Sequence, residues 1–135
     1  MKEVQIQKSF FKVADFVTWM KSKQLDLRPQ FQRRSVWKPG AKSYLIDTIY
    51  RGFPIPIIFI RDRVDPDTFT TTREIVDGQQ RLRTILCYID SSMFSDYDPN
   101  RDIQEVSPAH NSDISGKRFS QLEIEDKKRI LRIEP

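Results

Sequence analysis

Histidine and cysteine are almost missing from this sequence, whose 135 residues include one of each. The single cysteine, Cys87, excludes an internal disulfide. With His110 as the only histidine, a zinc site built from His and Cys is not expected. The longest apolar run, IPIIFI at residues 55–60, is far too short to cross a bilayer. The N-terminus, MKEVQIQKSF, lacks the apolar core of a signal peptide, so we expect a cytoplasmic protein.

The composition is that of one soluble globular domain. Hydrophobic residues make up 38% of the chain and charged residues 31%, and an aromatic content of 11% argues against disorder. Internal repeats, low-complexity tracts and Gly/Ser linkers are missing from the sequence. We therefore expect a single domain over residues 1–135 with its core at about 9–90, and we expect it to be the N-terminal part of a longer protein.

Positive charge is concentrated in the middle of the chain. Residues 28–83 hold 11 of the 23 Lys and Arg residues but only six of the 19 acidic residues. Such a local excess favours partners that carry phosphate, either nucleotides or nucleic acid. An ordinary solvated basic surface would give the same count, so charge alone leaves both interpretations open.

Hydrophobic periodicity predicts a mixture of helices and strands. Apolar residues recur at helical spacing after Val13, after Pro39 and after Gly78, and Gly52 is a plausible helix stop. A helix is also predicted over 119–133, with a capping box formed by Ser120 and Glu123. The predicted strands are VQI near the start, 24–27, 57–61 and 71–76. The last two form either a hairpin or strands joined by a long loop. Residues 28–39 and 91–115 are predicted loops. The predicted buried residues are Phe16, Leu45, Ile49, Ile58, Ile60, Val76, Leu82 and Ile85.

The junction between a predicted strand and helix, Asp77-Gly78-Gln79-Gln80-Arg81, has an unusual composition. A helix N-terminus binds anions through unpaired N–H groups and its dipole, and glycine lets the backbone approach a ligand closely. Arg81 in the first helical turn could bind phosphate oxygens. Asp77 could hold Mg²⁺ or orient an attacking water, and Gln79 and Gln80 could orient phosphates or a water. A plain turn with Asp77 as the helix cap explains Asp77 and Gly78 but leaves both glutamines and Arg81 without a role.

The predicted loop RPQFQRRSVW, residues 28–37, is rich in arginine, glutamine and aromatic residues. Its arginines could make bidentate contacts to phosphate, and its rings could stack on a base. The plainer alternative is that the aromatic residues pack on the core and the arginines are solvated.

Three segments together resemble the N-terminal domain family of GmrSD-type modification-dependent restriction systems. They are LRPQFQRRSVW, SYLIDTIYRGFPIPIIFI and EIVDGQQRLRTIL, and the resemblance spans about residues 9–90. It implies an α+β fold, a small mixed sheet with packed helices, related to the ParB/sulfiredoxin fold. It also implies binding of a nucleoside triphosphate (NTP) with Mg²⁺, hydrolysis in several members, and coupling to modified DNA and to a nuclease domain. The family motifs fall on Phe31, Gln32, Arg33, Trp37, Pro56 and residues 77–81.

Two departures limit what the resemblance implies. Phe31 stands where many members have tyrosine, so a hydroxyl group that could reach phosphate or DNA is lost. A nuclease site of the H-N-H type needs histidines, and His110 is alone in a polar segment. Nuclease activity is therefore expected on a C-terminal or partner domain, not on this chain.

From these observations we expect an NTP-binding regulatory domain of a restriction or phage-defence protein, with NTP hydrolysis left open. An alternative is a DNA-binding module that contacts backbone phosphates without using nucleotide. A weaker alternative is DNA cleavage through Asp77, although metal-dependent cleavage usually needs several carboxylates. The candidate catalytic residues are Asp77, Gln80 and Gln32, with Asp77 as the metal ligand. The candidate nucleotide-binding residues are Arg33, Arg34, Gly78, Gln79, Gln80, Arg81 and Thr84. The candidate DNA-binding residues are Phe31, Arg34 and Trp37.

Overall fold

The computed structural model of the protein describes residues 11–27, 38–99, 102–108 and 113–135. The predicted strand VQI and the segment 28–37 lie outside these residues. The first helix, α1 (Val13–Lys21), buries Val13 and Phe16. It stops just before Lys23, whose left-handed backbone (φ 61°) cannot continue a helix, and strand β1 (Leu25–Asp26) follows.

Helix α2 (Pro39–Tyr50) begins and ends where proline and glycine predict. Pro39 is the first helical residue, a position where its missing N–H costs no hydrogen bond. Gly52 adopts φ +80° just after the helix, the left-handed conformation that commonly ends one. The buried face of α2 includes Leu45, Ile46 and Ile49, and it also includes Lys42, which the apolar pattern did not predict.

Strands β2 (Phe59–Val64) and β3 (Thr71–Asp77) form a hairpin, one of the two arrangements that the sequence allowed. They pair antiparallel, with an irregularity in register between Phe59 and Ile60. On its other side β3 pairs with β1 in parallel, so the three strands form a mixed sheet in the order β1-β3-β2. The predicted α+β class with a small mixed sheet is confirmed.

Helix α3 (Gln79–Ile89) follows β3 directly and packs against both α1 and α2. A short 3-10 helix, Ser91–Met93, comes next, and the described part of 91–115 has little other regular structure. Its residues Val106 and Ile114 are nevertheless fully buried.

The C-terminal helix is shorter than predicted. A 3-10 helix covers Phe119–Gln121, and α4 spans only Ile124–Leu131. The predicted Ser120–Glu123 capping box is wrong. Glu123 is itself the residue that precedes the first helical turn, and no side chain caps that turn. The polar residues before α4 are instead held by a hydrogen bond from the backbone N–H of Arg118 to the side chain of Gln121.

The buried residues form two clusters on either side of α3. One joins α2 and α4 to Val106, Ile114 and Leu122 on one face of α3; the other joins α1, β3 and Phe94 to the opposite face of α3. Six of the eight predicted core residues are buried: Phe16, Leu45, Ile49, Ile58, Leu82 and Ile85.

The prediction for Val76 is wrong and that for Ile60 is only partly right. In a strand, neighbouring side chains point to opposite faces, so Ile75 and Val76 cannot both face the helices. Ile75 takes the buried position, and Val76 is 49% exposed on the other face. Ile60 lies on β2 at the edge of the sheet and is half-buried.

Candidate phosphate-binding site

The sheet topology places the residues that border two of the motif-carrying segments, Leu27 before one and Asp77 at the start of the other. Because β1 and β3 run parallel, their carboxyl ends point to the same edge of the sheet, the edge at which α/β proteins commonly bind ligands. Leu27 follows β1, and Asp77 ends β3. The segment after Leu27 carries the candidate residues Phe31, Gln32, Arg33, Arg34 and Trp37. These lie outside the described residues and stay predictions.

Gly78 is the residue that precedes the first turn of α3, and its backbone conformation and close neighbours disfavour any residue with a Cβ atom. Its backbone is left-handed, with φ +98°. A Cβ atom at this position would lie 3.0 Å from Cγ1 of Ile58 and 3.1 Å from Nη2 of Arg81. The backbone at the start of α3 is therefore bare and closely packed on one side. This is the arrangement that lets backbone N–H groups contact a bound anion.

Asp77 does not cap α3, so the plain-turn interpretation is wrong on this point. The cap position is occupied by Gly78, and no side chain accepts a hydrogen bond from the first turn. The first N–H groups of an α-helix have no acceptor within the helix. Asp77 is exposed at the end of β3. Its carboxylate is thus placed where it could contact a metal ion or water next to an anion at the helix end.

Gln79 and Thr84 hold the backbone of the junction. The side-chain nitrogen Nε2 of Gln79 donates to the backbone carbonyl oxygens of Ile75 and Val76, at 3.1 Å each. The hydroxyl of Thr84 donates to the carbonyl of Gln80 at 2.7 Å, and Thr84 is buried. These donors are used within the protein. Nucleotide contacts by Gln79 and Thr84 stay predictions.

Gln80 and Arg81 each carry a buried polar atom without a hydrogen-bond partner among the described residues. These atoms are Oε1 of Gln80 and Nε of Arg81. The Arg81 guanidinium is fixed at one end, since Nη2 donates to the carbonyl of Ile57 at 3.0 Å. That contact links the junction to the segment that contains Pro56, which is itself exposed. An unsatisfied buried polar atom costs about 1–3 kcal/mol, so each of these two atoms is expected to have a partner outside the described residues, whether protein, ligand or water.

A buried ion network behind the junction was not predicted from the sequence. The carboxylate of Asp102 accepts hydrogen bonds from Nε and Nη2 of Arg83 at 3.2 and 3.0 Å, and from Nζ of Lys42 at 3.1 Å. It also accepts one from the backbone N–H of Asp98. The side chains of Lys42 and Asp102 are each 1% exposed. The network therefore ties the first half of α2 to the first half of α3.

Burial and hydrogen bonding act in opposite directions on Asp102. Burial alone would raise the pKa of this carboxyl group. The hydrogen bonds from Arg83, Asp98 and Lys42 outweigh that effect and hold its pKa well below its ordinary value. Asp102 is therefore ionised at neutral pH and neutralises the buried ammonium group of Lys42.

Other kinds of site find little support in the part of the chain that the structure describes. Within it, no cluster of three or more His, Cys, Asp or Glu residues could hold a metal ion. Burial raises the pKa of Cys87 to about 11, so its thiol is a packing group and a poor nucleophile. None of the described helices combines the length and the apolar character needed to span a membrane.

The chain matches the model of one protein family. Residues 14–134 match the family described as GmrSD restriction endonuclease, N-terminal domain. The matched region includes both the segment 28–37 and the junction at residues 77–81. No curated protein sequence and no solved structure matches the chain.

Proposed function

Since the chain belongs to the family of GmrSD restriction endonuclease N-terminal domains, we propose that it binds an NTP at the start of α3. It would serve as the nucleotide-responsive part of a DNA restriction protein. The observation that carries the proposal is the geometry of the junction. A closely packed glycine with positive φ, a helix N-terminus without a side-chain cap and two buried polar atoms that lack a partner among the described residues occur within four residues, 78–81. A plain turn would explain the glycine but not the two buried polar atoms.

The phosphate chain is the part of the nucleotide that this geometry suits. The N–H groups after Gly78 would donate to phosphate oxygens, aided by the helix dipole. Arg81 would neutralise phosphate charge through its guanidinium, whose Nε lacks a partner among the described residues. Gln80 would orient a phosphate or a water through its amide. Arg33, Arg34 and Gln32 would approach from the segment that follows β1.

Asp77 is the residue that would hold Mg²⁺. Magnesium in nucleotide sites is commonly bound by one or two carboxylates together with phosphate oxygens and water, so a lone exposed carboxylate beside the phosphates is sufficient. When bound, the ion would neutralise charge on the phosphates. If the domain hydrolyses NTP, Asp77 and Gln80 are the described side chains placed to orient the attacking water.

Replacing Arg81 by alanine is expected to weaken NTP binding about 10- to 100-fold, the effect of losing charged hydrogen bonds to phosphate. The fold should survive, because within the described residues the guanidinium makes a single hydrogen bond, to the backbone carbonyl of Ile57. Binding is measured by titration calorimetry and stability by thermal unfolding. Arg132→Ala is the matched control, since Arg132 also donates to a backbone carbonyl, that of Lys128. Equal binding by Arg81→Ala and wild type would refute the site assignment.

Replacing Asp77 by asparagine is expected to remove the contribution of Mg²⁺ to NTP binding with no loss of stability, because Asp77 is exposed. Wild-type affinity should be higher in Mg²⁺ than in EDTA, whereas the variant should bind equally in both. Asp62→Asn, at an exposed position in the neighbouring strand, is the control. A Mg²⁺ dependence that persists in Asp77→Asn would show that another group holds the ion.

The positive charge of residues 28–83 also supports a second candidate function, DNA binding without nucleotide. In that case DNA affinity should fall steeply with salt and should not respond to added NTP. A fluorescence-anisotropy titration of a duplex with and without NTP separates the two proposals. DNA modification sensing and control of a nuclease domain, which the family resemblance implies, remain proposals.

A further inference from the structure

The hairpin tip, residues 65–70 between β2 and β3, presents an aromatic side chain to solvent on a closed loop. The backbone N–H of Asp65 donates to the carbonyl of Thr70 at 2.9 Å, and that of Phe69 donates to the carbonyl of Asp65 at 2.8 Å. The Asp65 carboxylate also accepts a hydrogen bond from the backbone N–H of Asp67 at 2.8 Å. Phe69 is nevertheless 82% exposed. The tip therefore holds an apolar side chain in water on a backbone that hydrogen bonds fix.

The backbone of Phe69 adopts a conformation that residues with a Cβ atom usually avoid. Its φ is +61°, in the left-handed region. Among the described residues, the other non-glycine residue with a positive φ is Lys23, also at +61°. Backbone strain of this kind occurs preferentially where it positions a side chain for binding. Phe69 and Lys23 are therefore candidates for residues that contact a partner.

Lys23 lines a cavity that the ends of α1 and α3 form together with β1. The volume of this cavity is about 440 Å³, within the range of roughly 300–1,000 Å³ in which proteins bind small organic groups. Three of its seven lining residues are apolar: Met20, Leu25 and Met93. Methionine sulfur makes favourable contacts with aromatic rings. The cavity thus suits an aromatic side chain.

The rest of the cavity wall is polar and carries a net positive charge. Lys21 and Lys23 supply two ammonium groups, against one carboxylate, that of Asp90. This carboxylate accepts hydrogen bonds from the backbone N–H and the hydroxyl of Ser92, and it lies 3.9 Å from Nζ of Lys21. Lys21 and Asp90 therefore offset each other, and Lys23 supplies the excess positive charge.

The hairpin tip has the chemistry that this cavity would accept. The stretch 64–72, VDPDTFTTT, contains two aspartates and no basic residue. Phe69 would contact the methionines, and the carboxylates of Asp65 and Asp67 would face the lysines. Because Phe69 is exposed, it does not fill the cavity of its own chain. A second copy of the chain therefore offers a matching surface for each side of the contact.

The positions of the tip and the cavity allow this contact to be reciprocal. Leu25, in the cavity wall, pairs with Arg73 in the sheet. Phe69 precedes Arg73 by four residues, which span at most about 14 Å of extended chain. Tip and cavity thus lie at the same end of the sheet. A two-fold axis at this end would place each tip at the cavity of the other copy and would close the assembly at two chains.

We propose that the chain forms a two-fold dimer in which Phe69 of each copy inserts into the 440 Å³ cavity of the other. This interface lies at the amino ends of β1 and β3, whereas the proposed phosphate site lies at their carboxyl ends. The inference is therefore independent of nucleotide binding. An interface formed by two hairpin tips is small, so the dimer should be weak and should dissociate on dilution.

Analytical ultracentrifugation of the 135-residue protein tests the proposal. Over about 10–500 µM, wild type should pass from monomer to dimer. Phe69→Asn should raise the dissociation constant of the dimer about tenfold or more, because the aromatic anchor is lost. Asparagine tolerates a positive φ, so the hairpin should keep its conformation, and thermal unfolding checks this. Phe53→Asn, at a site that is 60% exposed after α2, is the matched control and should dimerise as wild type does.

Charge reversal tests which two surfaces meet. Asp67→Lys and Lys23→Asp should each weaken the dimer about threefold or more, because each brings like charges together. The double variant restores opposite charges and should regain most of the wild-type affinity. A wild type that stays monomeric at every concentration would overturn the proposal and indicate that the tip contacts a different protein. Undiminished dimerisation of Phe69→Asn, or a double variant that dimerises no better than the single variants, would also overturn it.

Discussion

Gly78→Ala is expected to lower the free energy of unfolding by about 2–5 kcal/mol and to abolish NTP binding. A residue with a Cβ atom pays about 1–2 kcal/mol in the left-handed conformation, and crowding in a packed region adds about 1–3 kcal/mol. At Gly78 both apply, since φ is +98° and the new atom would lie 3.0 Å from the Ile58 side chain and 3.5 Å from the Ile58 backbone. Relief of this contact must move the backbone whose N–H groups would bind phosphate.

Two other glycines separate these effects. Gly52 also has a positive φ of +80°, but nothing lies within 4 Å of a Cβ atom added there. Gly52→Ala should therefore cost only the conformational part, about 1–2 kcal/mol. Gly40, in the first turn of α2, has neither constraint, and Gly40→Ala should be neutral or stabilising by up to about 1 kcal/mol. Urea unfolding gives all three values. A cost at Gly78 no larger than at Gly52 would contradict the close packing of the junction.

Asp102→Ala is expected to destabilise the protein by about 3–5 kcal/mol, the usual cost of removing one partner from a buried ion pair. The substitution leaves the ammonium group of Lys42 in a site where its side chain is 1% exposed. It also removes one of the two carboxylates that hold the guanidinium of Arg83, the other being that of Asp96. Because Lys42 is on α2 and Arg83 on α3, the two helices would lose their polar connection near the proposed site.

The pH dependence of this effect follows from the lowered pKa of Asp102. A carboxyl group whose pKa is lower in the folded state stabilises the protein above its ordinary pKa of 3.8, and the contribution is lost as pH falls toward the folded value. The stability difference between wild type and Asp102→Ala should thus be full at pH 7 and shrink below about pH 4.

A double-mutant cycle provides the control for Asp102. Lys42→Met retains most of the aliphatic volume and removes the buried charge, so Asp102→Ala should cost less in the Lys42→Met background than in wild type. Urea unfolding of the four proteins at pH 7 measures the difference. If Asp102→Ala costs under about 1 kcal/mol in the wild-type background, the ion network is not buried as described.

Much of the fold could be predicted from local patterns because the residues concerned act through their own chain neighbours. Apolar residues at helical spacing, among them Phe16, predicted helix α1. Pro39 and Gly52 predicted where helix α2 begins and ends. The strand-to-helix change at Gly78 also depends only on local chemistry, and the structure has it where it was predicted.

The remaining features depend on contacts between distant residues. Whether Ile75 or Val76 faces the core depends on how β3 packs against α3. The sequence of the strand alone does not determine that packing. Asp102 lies in a segment without periodicity and acquires its role only when folding brings it to Lys42, 60 residues away. One signal was present: Lys42, Leu45, Ile46 and Ile49 share helical spacing, which places a lysine on an apolar stripe and implies a buried anionic partner.

The central claim is that the start of α3 binds an NTP, and calorimetric titration of the 135-residue protein tests it most directly. ATP, GTP, CTP and UTP are titrated in Mg²⁺ into wild type and into Arg81→Ala, with thermal unfolding as the check that both are folded. We predict saturable binding of at least one NTP by wild type, weakened about 10- to 100-fold in the variant. No heat from any of the four with folded wild-type protein would contradict the claim and favour the DNA-binding alternative.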